Sequence, residues 1–500
     1  MTSHVMGIDM GTGSTKGVLA ALDGTIRRVA TRSHEMSMPR PGFAEMDAEN
    51  LWWREICEIS TELLDGSDGT LAGVCVSGLG PSLVVTGNDL HPLRPAILYG
   101  IDMRATAEIA ELTSRYGAEA ILDRCGKDLS SQAVGPKMRW IQKNEPAVWE
   151  RTTRWFSAHS YIVAKLTGEY TLDHHTASQY DPLYDINHQE WVADWAGEVS
   201  PGVQLPQLFW ASEVVGTVHR EAAAATGIPD GTPVCAGTVD AWAEAFSAGA
   251  RRPGDLMLMY GSTMFFVEVL ASLAKHSGLW TTSGVEPGSR TLAAGMATSG
   301  SLTGWIQALC GGAPFGTLVD EAAVIPPGSD GLLLLPYFAG ERTPLFDPDA
   351  RGVVAGLTLR HRRGHLFRAA YEGIAYGIRQ ILDFYEEVGI PPQRLIAVGG
   401  GTQGGLWTQI VTDVTNREQV VPDQTIGASL GDALLAAVGT GLLPPETDWS
   451  RVSARLTPNP RHHDRYEGLY ADFRALYLST RDIVHHLAGI QHAAASDSAS

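Results

Sequence analysis

Two stretches far apart in this chain share one pattern. Each is an apolar strand, a short turn of Gly, Ser and Thr, and a returning strand. The first runs Val5–Met10, Gly11-Thr12-Gly13-Ser14, Thr15–Ala21; the second runs Leu256–Tyr260, Gly261-Ser262-Thr263, Met264–Leu270. Each half of the chain therefore opens a sheet with a hairpin. A single hydrophobic core stops growing at roughly 250–300 residues, and the chain has 500. Repeat and length together predict two related α/β domains, residues 1–246 and 247–488, separated near the turn signal Arg251-Arg252-Pro253-Gly254-Asp255. The small, polar residues 489–500 read as a disordered tail. Further strands are expected at Val74–Val76, Ser82–Val85 and Leu395–Val398. Helices are expected at Ala105–Tyr116, Gly135–Asn144, Arg220–Thr226, Leu366–Val388, Leu406–Thr415, Ala428–Thr440 and Arg465–Ala488.

Composition removes several function classes. The net charge of −19 disfavours a protein built to neutralise nucleic-acid phosphates. It leaves small anionic ligands open, since these read local N–H groups and local charge. The five cysteines are scattered, with no C-x-x-C, which argues against a disulfide framework or a thiolate zinc site and fits a reducing cytoplasm. No apolar run is long enough to span a bilayer, and the N-terminus has no signal-peptide pattern.

Four segments could carry chemistry. In Asp9-Met10-Gly11-Thr12-Gly13-Ser14-Thr15-Lys16, a strand-end carboxylate precedes a turn whose N–H and hydroxyl groups could hold phosphate oxygens. A plain hairpin turn is the alternative. Gly399-Gly400-Gly401-Thr402-Gln403-Gly404 satisfies G-x-G-x-x-G, with Asp423 about 20 residues on, as a dinucleotide site requires. A nucleotide held by all three small-residue turns is the competing explanation. Gly427-Ala428-Ser429-Leu430-Gly431 matches G-x-S-x-G but reads as close helix packing. Asp240 follows the apolar run Val234–Val239 and is either a general base or a helix N-cap. The histidines at 174–175, 361, 365 and 462–463 lack partners at metal spacing and read as surface or packing residues.

Taken together, residues 5–485 resemble the FGGY carbohydrate kinases, and within them the kinases of xylulose. The most specific segment is Gly352-Val353-Val354-Ala355-Gly356-Leu357, seven residues, then His365-Leu366-Phe367-Arg368-Ala369-Ala370-Tyr371-Glu372, which fits the family's second signature. Leu335–Pro344 resembles the segment before it, and Lys137-Met138-Arg139-Trp140-Ile141 meets part of the first signature, with Val134 where a small residue is expected. The resemblance implies two actin-like (ribonuclease H-like) domains with a cleft between them that takes ATP, Mg²⁺ and a sugar or polyol. It implies that Asp240 is the catalytic base and that Asp9 holds Mg²⁺, through water. Gly11, Thr12, Gly13, Ser14 and Lys16 match the first phosphate motif, Gly261, Ser262 and Thr263 the second, and Gly399, Gly400, Gly401 and Gln403 the adenosine motif. The resemblance adds a homodimer as one possibility, while the cytoplasmic location and the lack of a nucleic-acid or membrane partner are expected from the cysteines, the charge and the hydropathy.

The acceptor segments depart from the family. Leu79-Gly80-Pro81-Ser82 stands where Gln-Met-His-Gly is usual, and Leu98-Tyr99-Gly100-Ile101-Asp102-Met103-Arg104 keeps only Asp-x-Arg of Trp-Asn-Asp-x-Arg. His159-Ser160-Tyr161 replaces Lys-Asp-Tyr. Gly80, Pro81, Asp102, Arg104 and Asp240 are the expected substrate-binding residues. Pro81 offers no side-chain hydrogen bond and no N–H. D-xylulose heads a list of acceptors that includes ribulose, other ketoses and glycerol-like polyols. An NAD-dependent oxidoreductase and a non-catalytic sugar-binding relative are the remote alternatives; the presence of both Asp9 and Asp240 speaks against the latter.

Overall fold

The computed structural model describes residues 3–423 and 426–498. The chain forms two compact units, neither continuous in sequence. The first comprises Met1–Arg251, Val269–Thr291 and Ile426–Ser450; the second comprises Arg252–Glu268, Leu292–Thr425 and Arg451–Ser500.

The first unit is built on a mixed sheet. Its strands are β1 (Ser3–Met10), β2 (Ser14–Ala21), β3 (Ile26–Ser33), β4 (Thr70–Gly78), β5 (Val214–Thr217), β6 (Pro233–Cys235) and β7 (Thr238–Val239). They are ordered β5-β6-β4-β1-β2-β3, with β7 paired to β4. β1 and β2 form the expected hairpin, and β1 runs parallel to β4. Val5, Met6, Ile8, Met10, Val74 and Val76 are all fully buried, as a near-continuous apolar run in a sheet covered on both faces requires. One cover is the helix Arg54–Leu64 over β2 and β3. The other arrives late in the chain: the helix Ala428–Gly439 lies over β1 and β4 and against the helix Asp240–Ser247.

Two glycines make that second approach possible. A Cβ on Gly7 would stand 2.0 Å from the Ser429 carbonyl oxygen, and one on Gly431 would stand 2.1 Å from that of Ala243. The G-x-S-x-G run is thus a packing motif on a buried helix, with Ser429 fully buried.

The second unit repeats the hairpin. Its strands are β8 (Asp255–Tyr260), β9 (Met264–Leu270), β10 (Arg290–Met296), β11 (Arg394–Val398), β12 (Gln419–Pro422) and β13 (Val452–Leu456). Among these six strands the order is β10-β9-β8-β11-β12-β13, with β8 antiparallel to β9 and parallel to β11. The long helix Arg363–Glu387 supplies much of the core through Phe367, Ile374, Ile378 and Ile381. The last helix spans His463–Ser498. It runs through the segment from 489 on, where a disordered tail is expected. Gln491 accepts a hydrogen bond from Arg351 Nε at 2.7 Å, and residues 499–500 of that segment lie outside the described residues. Among the described residues, no helix is long and apolar enough to cross a membrane. All five cysteines are free thiols.

Candidate active site

Strand register gathers the first unit's carboxylates at one end of its sheet. Asp9 lies beside Lys16 on β2 and beside Ser77 on β4. Thr238 lies beside Ser77, and Val239 beside Gly78, so Asp240 emerges from β7 at the same end. The N-cap position belongs to Val239, which makes no side-chain capping bond. Asp240 is the first helical residue, and its Oδ1 accepts the Ala241 N–H at 2.7 Å. The cap position thus falls one residue earlier, while the Asp240 carboxylate still meets a first-turn N–H.

Two acidic residues that sequence reasoning missed join them. Asp432, on the helix Ala428–Gly439, is fully buried and accepts the Ser77 hydroxyl at 2.6 Å and the Ser77 N–H at 3.2 Å. The same hydroxyl lies 3.4 Å from Asp9 Oδ1. Glu244 lies one turn along the helix from Asp240. The one signal for Asp432 was its charge in an otherwise uncharged run of small and apolar residues.

Burial dominates the electrostatics. It pushes Asp9 well above the usual carboxylate range, and the charges of Asp240 and Glu244 push further; Lys16 and the Ser77 hydroxyl oppose this. Burial raises Asp240 to about 6, against the pull of the Ala241 N–H and the imidazole of His159. Glu244 is raised to about 7 by burial and by Asp240, with Lys16 opposing. Asp432 is raised by burial, with Asp9 adding to it and Ser77 opposing. The cluster carries more negative charge than its surroundings neutralise. That is the setting a hydrated divalent cation suits. Among the described residues, no group of three or more His, Cys, Asp or Glu side chains is placed to hold a metal ion.

His159 flanks Asp240. Its ring is fully buried, and Nε2 lies 2.9 Å from Asp173 Oδ1. Asp173 Oδ2 accepts the Thr238 hydroxyl at 2.8 Å and the Thr176 N–H at 3.1 Å, which ties the pair to the strand carrying Asp240. His159 Nδ1 is buried without a hydrogen-bond partner. If Asp240 is the general base it must be ionised to act, and kcat/KM is then expected to fall as pH drops through about 6. His159 lowers the Asp240 value, so His159→Gln moves that acid limb to higher pH. An unmoved limb in the kcat/KM–pH profile would remove His159 from this role.

The turn Gly11–Ser14 is braced from behind. Gly11 N–H donates to the Ser14 carbonyl at 2.9 Å, and His34 Nε2 meets the Gly11 carbonyl at 3.0 Å. Glu55 receives both the Thr15 hydroxyl (2.6 Å) and His34 Nδ1 (2.9 Å). Lys16 Nζ donates to the Ile426 carbonyl at 3.4 Å.

The acceptor segments reach the same place. Leu79 N–H donates to the Met10 carbonyl at 2.8 Å, and the next residue, Gly80, packs against Val239, just before Asp240; Pro81 is buried. The Tyr99 hydroxyl lies 3.1 Å from the Thr12 hydroxyl. Lys137 is buried and holds the loop by donating to the carbonyls of Leu98 (2.6 Å) and Tyr99 (3.0 Å). Asp102 and Arg104 face each other. Asp102 Oδ2 accepts from Arg104 at 2.7 Å and from the Ala44 N–H at 2.7 Å, and Arg104 also reaches Glu45 at 2.8 Å and stacks on Phe43. Both side chains are fully buried and engaged within the loop.

In the second unit the remaining two turns close the matching strand ends. Ser262 and Thr263 are exposed between β8 and β9, and the carbonyls of Gly261 and Ser262 anchor the first turn of the helix Gly300–Leu309. Gly399 leaves β11 at φ +90°, with Tyr260 backbone 2.8 Å from where a Cβ would stand, so only glycine fits. Gly400 and Gln403 are exposed beyond it.

Residues 4–247 match the N-terminal domain of the FGGY family of carbohydrate kinases, and residues 256–440 match its C-terminal domain. A xylulose kinase of Lactococcus lactis subsp. lactis (strain IL1403) is 30% identical over 97% of this chain and 98% of that protein. A gluconokinase of Bacillus subtilis (strain 168) is 26% identical over 92% of each chain. The crystal structure of xylulose kinase from Rhodospirillum rubrum covers 96% of this chain and 100% of that one, with a TM-score of 0.88 at 34% identity. The two-domain α/β fold is that of these kinases.

Proposed function

We propose a specific reaction on one premise: the chain belongs to the FGGY family of carbohydrate kinases and is a sugar kinase. The reaction is transfer of the γ-phosphate of ATP to a hydroxyl of a ketopentose, with D-xylulose to D-xylulose 5-phosphate in first place. The observation that carries it is the meeting of Asp9, Asp240 and the Gly11–Ser14 turn at one sheet end, with Asp240 buried and raised to about 6.

Asp240 accepts the proton of the attacking hydroxyl, since a base with a value near operating pH combines the right protonation state with adequate basicity. N–H and hydroxyl groups of Gly11, Thr12, Gly13 and Ser14, with Lys16, hold phosphate oxygens. In the second unit Gly261, Ser262 and Thr263 do the same, and Gly399, Gly400, Gly401 and Gln403 take the adenosine. Asp9 holds Mg²⁺ through water; when bound, the ion neutralises charge on the polyphosphate. Positioning and charge neutralisation do most of the work in this chemistry.

Gly80 and Pro81 shape the acceptor site, and Asp102 and Arg104 support it by fixing the loop that carries Tyr99. The G-x-G-x-x-G run does lie between β11 and the helix Leu406–Thr415, with Asp423 just past β12. Its place in a chain that matches carbohydrate kinases end to end favours adenosine over a dinucleotide. The free thiols fit a reducing cytoplasm.

A second acceptor reading rests on Pro81. A site without the usual imidazole hydrogen bond can turn to a different ketose or a small polyol, because a missing polar contact shifts discrimination strongly. Coupled ADP-release assays with Mg²⁺ across D-xylulose, ribulose, gluconate and glycerol decide between them. The expected result is a kcat/KM for D-xylulose at least about tenfold above the others. A higher value for another acceptor replaces D-xylulose, and ADP release with none of them sinks the kinase reaction itself.

A further inference from the structure

The second unit holds a cavity of about 540 Å³ that the kinase reaction does not use. Its wall includes Asp330, Arg360, His361, His365 and Arg465. No residue of the turns Gly261–Thr263 or Gly399–Gln403 lines it. Arg360 and His361 come from Thr358–Gly364, the spacer inside the second signature, and His365 from the start of the helix Arg363–Glu387.

Charge is what sets this cavity apart. Arg363 pairs with Glu321, and Arg368 with Glu372. Arg360 and Arg465 have no carboxylate partner among the described residues; Arg465 donates only to the Pro327 carbonyl, at 2.9 Å. Both guanidiniums stand on this one concave surface. The histidines add donors. His361 Nδ1 accepts the Thr358 N–H (2.9 Å) and His365 Nδ1 accepts the Arg362 N–H (3.1 Å), so both rings present Nε2–H. These point to Asp330 at 3.4 Å and 3.3 Å, long enough for a stronger acceptor to compete. Asp330 is the one carboxylate on the wall, and its side chain is half exposed.

The wall is also fixed. Gly328, Ser329, Asp330 and Gly331 all have positive φ (86°, 48°, 52° and 86°), unusual for the two residues that carry a Cβ. Glu372 pins them by accepting the Gly328 N–H and the Ser329 hydroxyl, each at 2.8 Å. A preformed cavity loses little on binding.

We infer that this cavity binds a phosphomonoester of small-sugar size, at a site separate from the nucleotide turns of the same unit. Two planar guanidinium forks match a dianion better than a single carboxylate. The volume lies in the range of small-molecule sites and exceeds what inorganic phosphate fills.

The test is calorimetric titration of the full-length enzyme with ribose 5-phosphate, inorganic phosphate and unphosphorylated ribose, in the presence of saturating ADP, Mg²⁺ and D-xylulose. Ribose 5-phosphate should bind, with inorganic phosphate weaker and ribose undetectable. Arg360→Ala/Arg465→Ala should weaken ribose 5-phosphate at least about tenfold, with an unchanged melting temperature and unchanged turnover of D-xylulose. The single variants Arg360→Gln and Arg465→Gln carry the test if the double variant does not fold. Equal binding by variant and wild type, no binding by wild type, or inorganic phosphate as tight as ribose 5-phosphate overturns the inference.

Discussion

Asp240→Asn lowers kcat roughly 10³-fold, about 4 kcal/mol of barrier, and leaves acceptor affinity within about threefold. The side chain is buried at the end of β7, and Asn can keep the hydrogen bond from the Ala241 N–H through its amide oxygen. What it loses is the ability to take a proton. The loss should therefore fall on turnover, with binding spared. It should also be accompanied by disappearance of the acid limb near pH 6 from the residual rate, since the titrating group is gone. Steady-state kinetics and acceptor binding by calorimetry, read on the same preparation, separate the two effects. A loss in kcat below about tenfold would end the assignment of Asp240 as the base.

Asp9→Asn should move activity and stability in opposite directions. Asp9 is crowded by Asp240 and Glu244, with Lys16 as its counter-charge. Removing its charge relieves repulsion within the buried cluster, so the ligand-free protein should melt a few degrees higher. Turnover should fall by roughly 10²–10³-fold, and half-maximal activation should need several times more Mg²⁺. The direction of the melting shift reports the cluster, and the Mg²⁺ titration reports the role of Asp9. A variant with an unchanged Mg²⁺ activation curve would leave Asp9 without its proposed task, whatever its rate.

Much of the framework was legible from local pattern. The two hairpins, the helix Leu406–Thr415 and the strand Met264–Leu270 lie where period and turn residues place them. Asp9 and Asp240 were legible as candidates because each ends an apolar strand, but a hairpin turn and a helix N-cap read them equally well until the family resemblance assigned them roles. Residues that act through convergence were hidden. Ser77, Asp432, Glu244 and the His159–Asp173 pair meet the site only through strand register and the docking of a distant helix. Asp102 and Arg104 kept a recognisable spacing, but spacing could not reveal that they hold each other within the loop. The cavity at Arg360 and Arg465 joins residues about a hundred positions apart, and no local window contains both.

The helix Ala428–Gly439 carries one more consequence, for the order of events on the ribosome. It covers the β1–β4 face, where Gly7 meets Ser429 and Gly73 meets Thr440. About three quarters of the second unit is translated before this cover emerges. A nascent chain therefore holds an apolar sheet face open while some two hundred further residues are added, a period in which holdase chaperones would protect it. For the same reason a fragment ending at Arg251 lacks one wall of its own core. The first half of the gene does not encode the first unit of the fold, and a chain that stalls before the late helix exposes the surface on which the carboxylate cluster is later assembled.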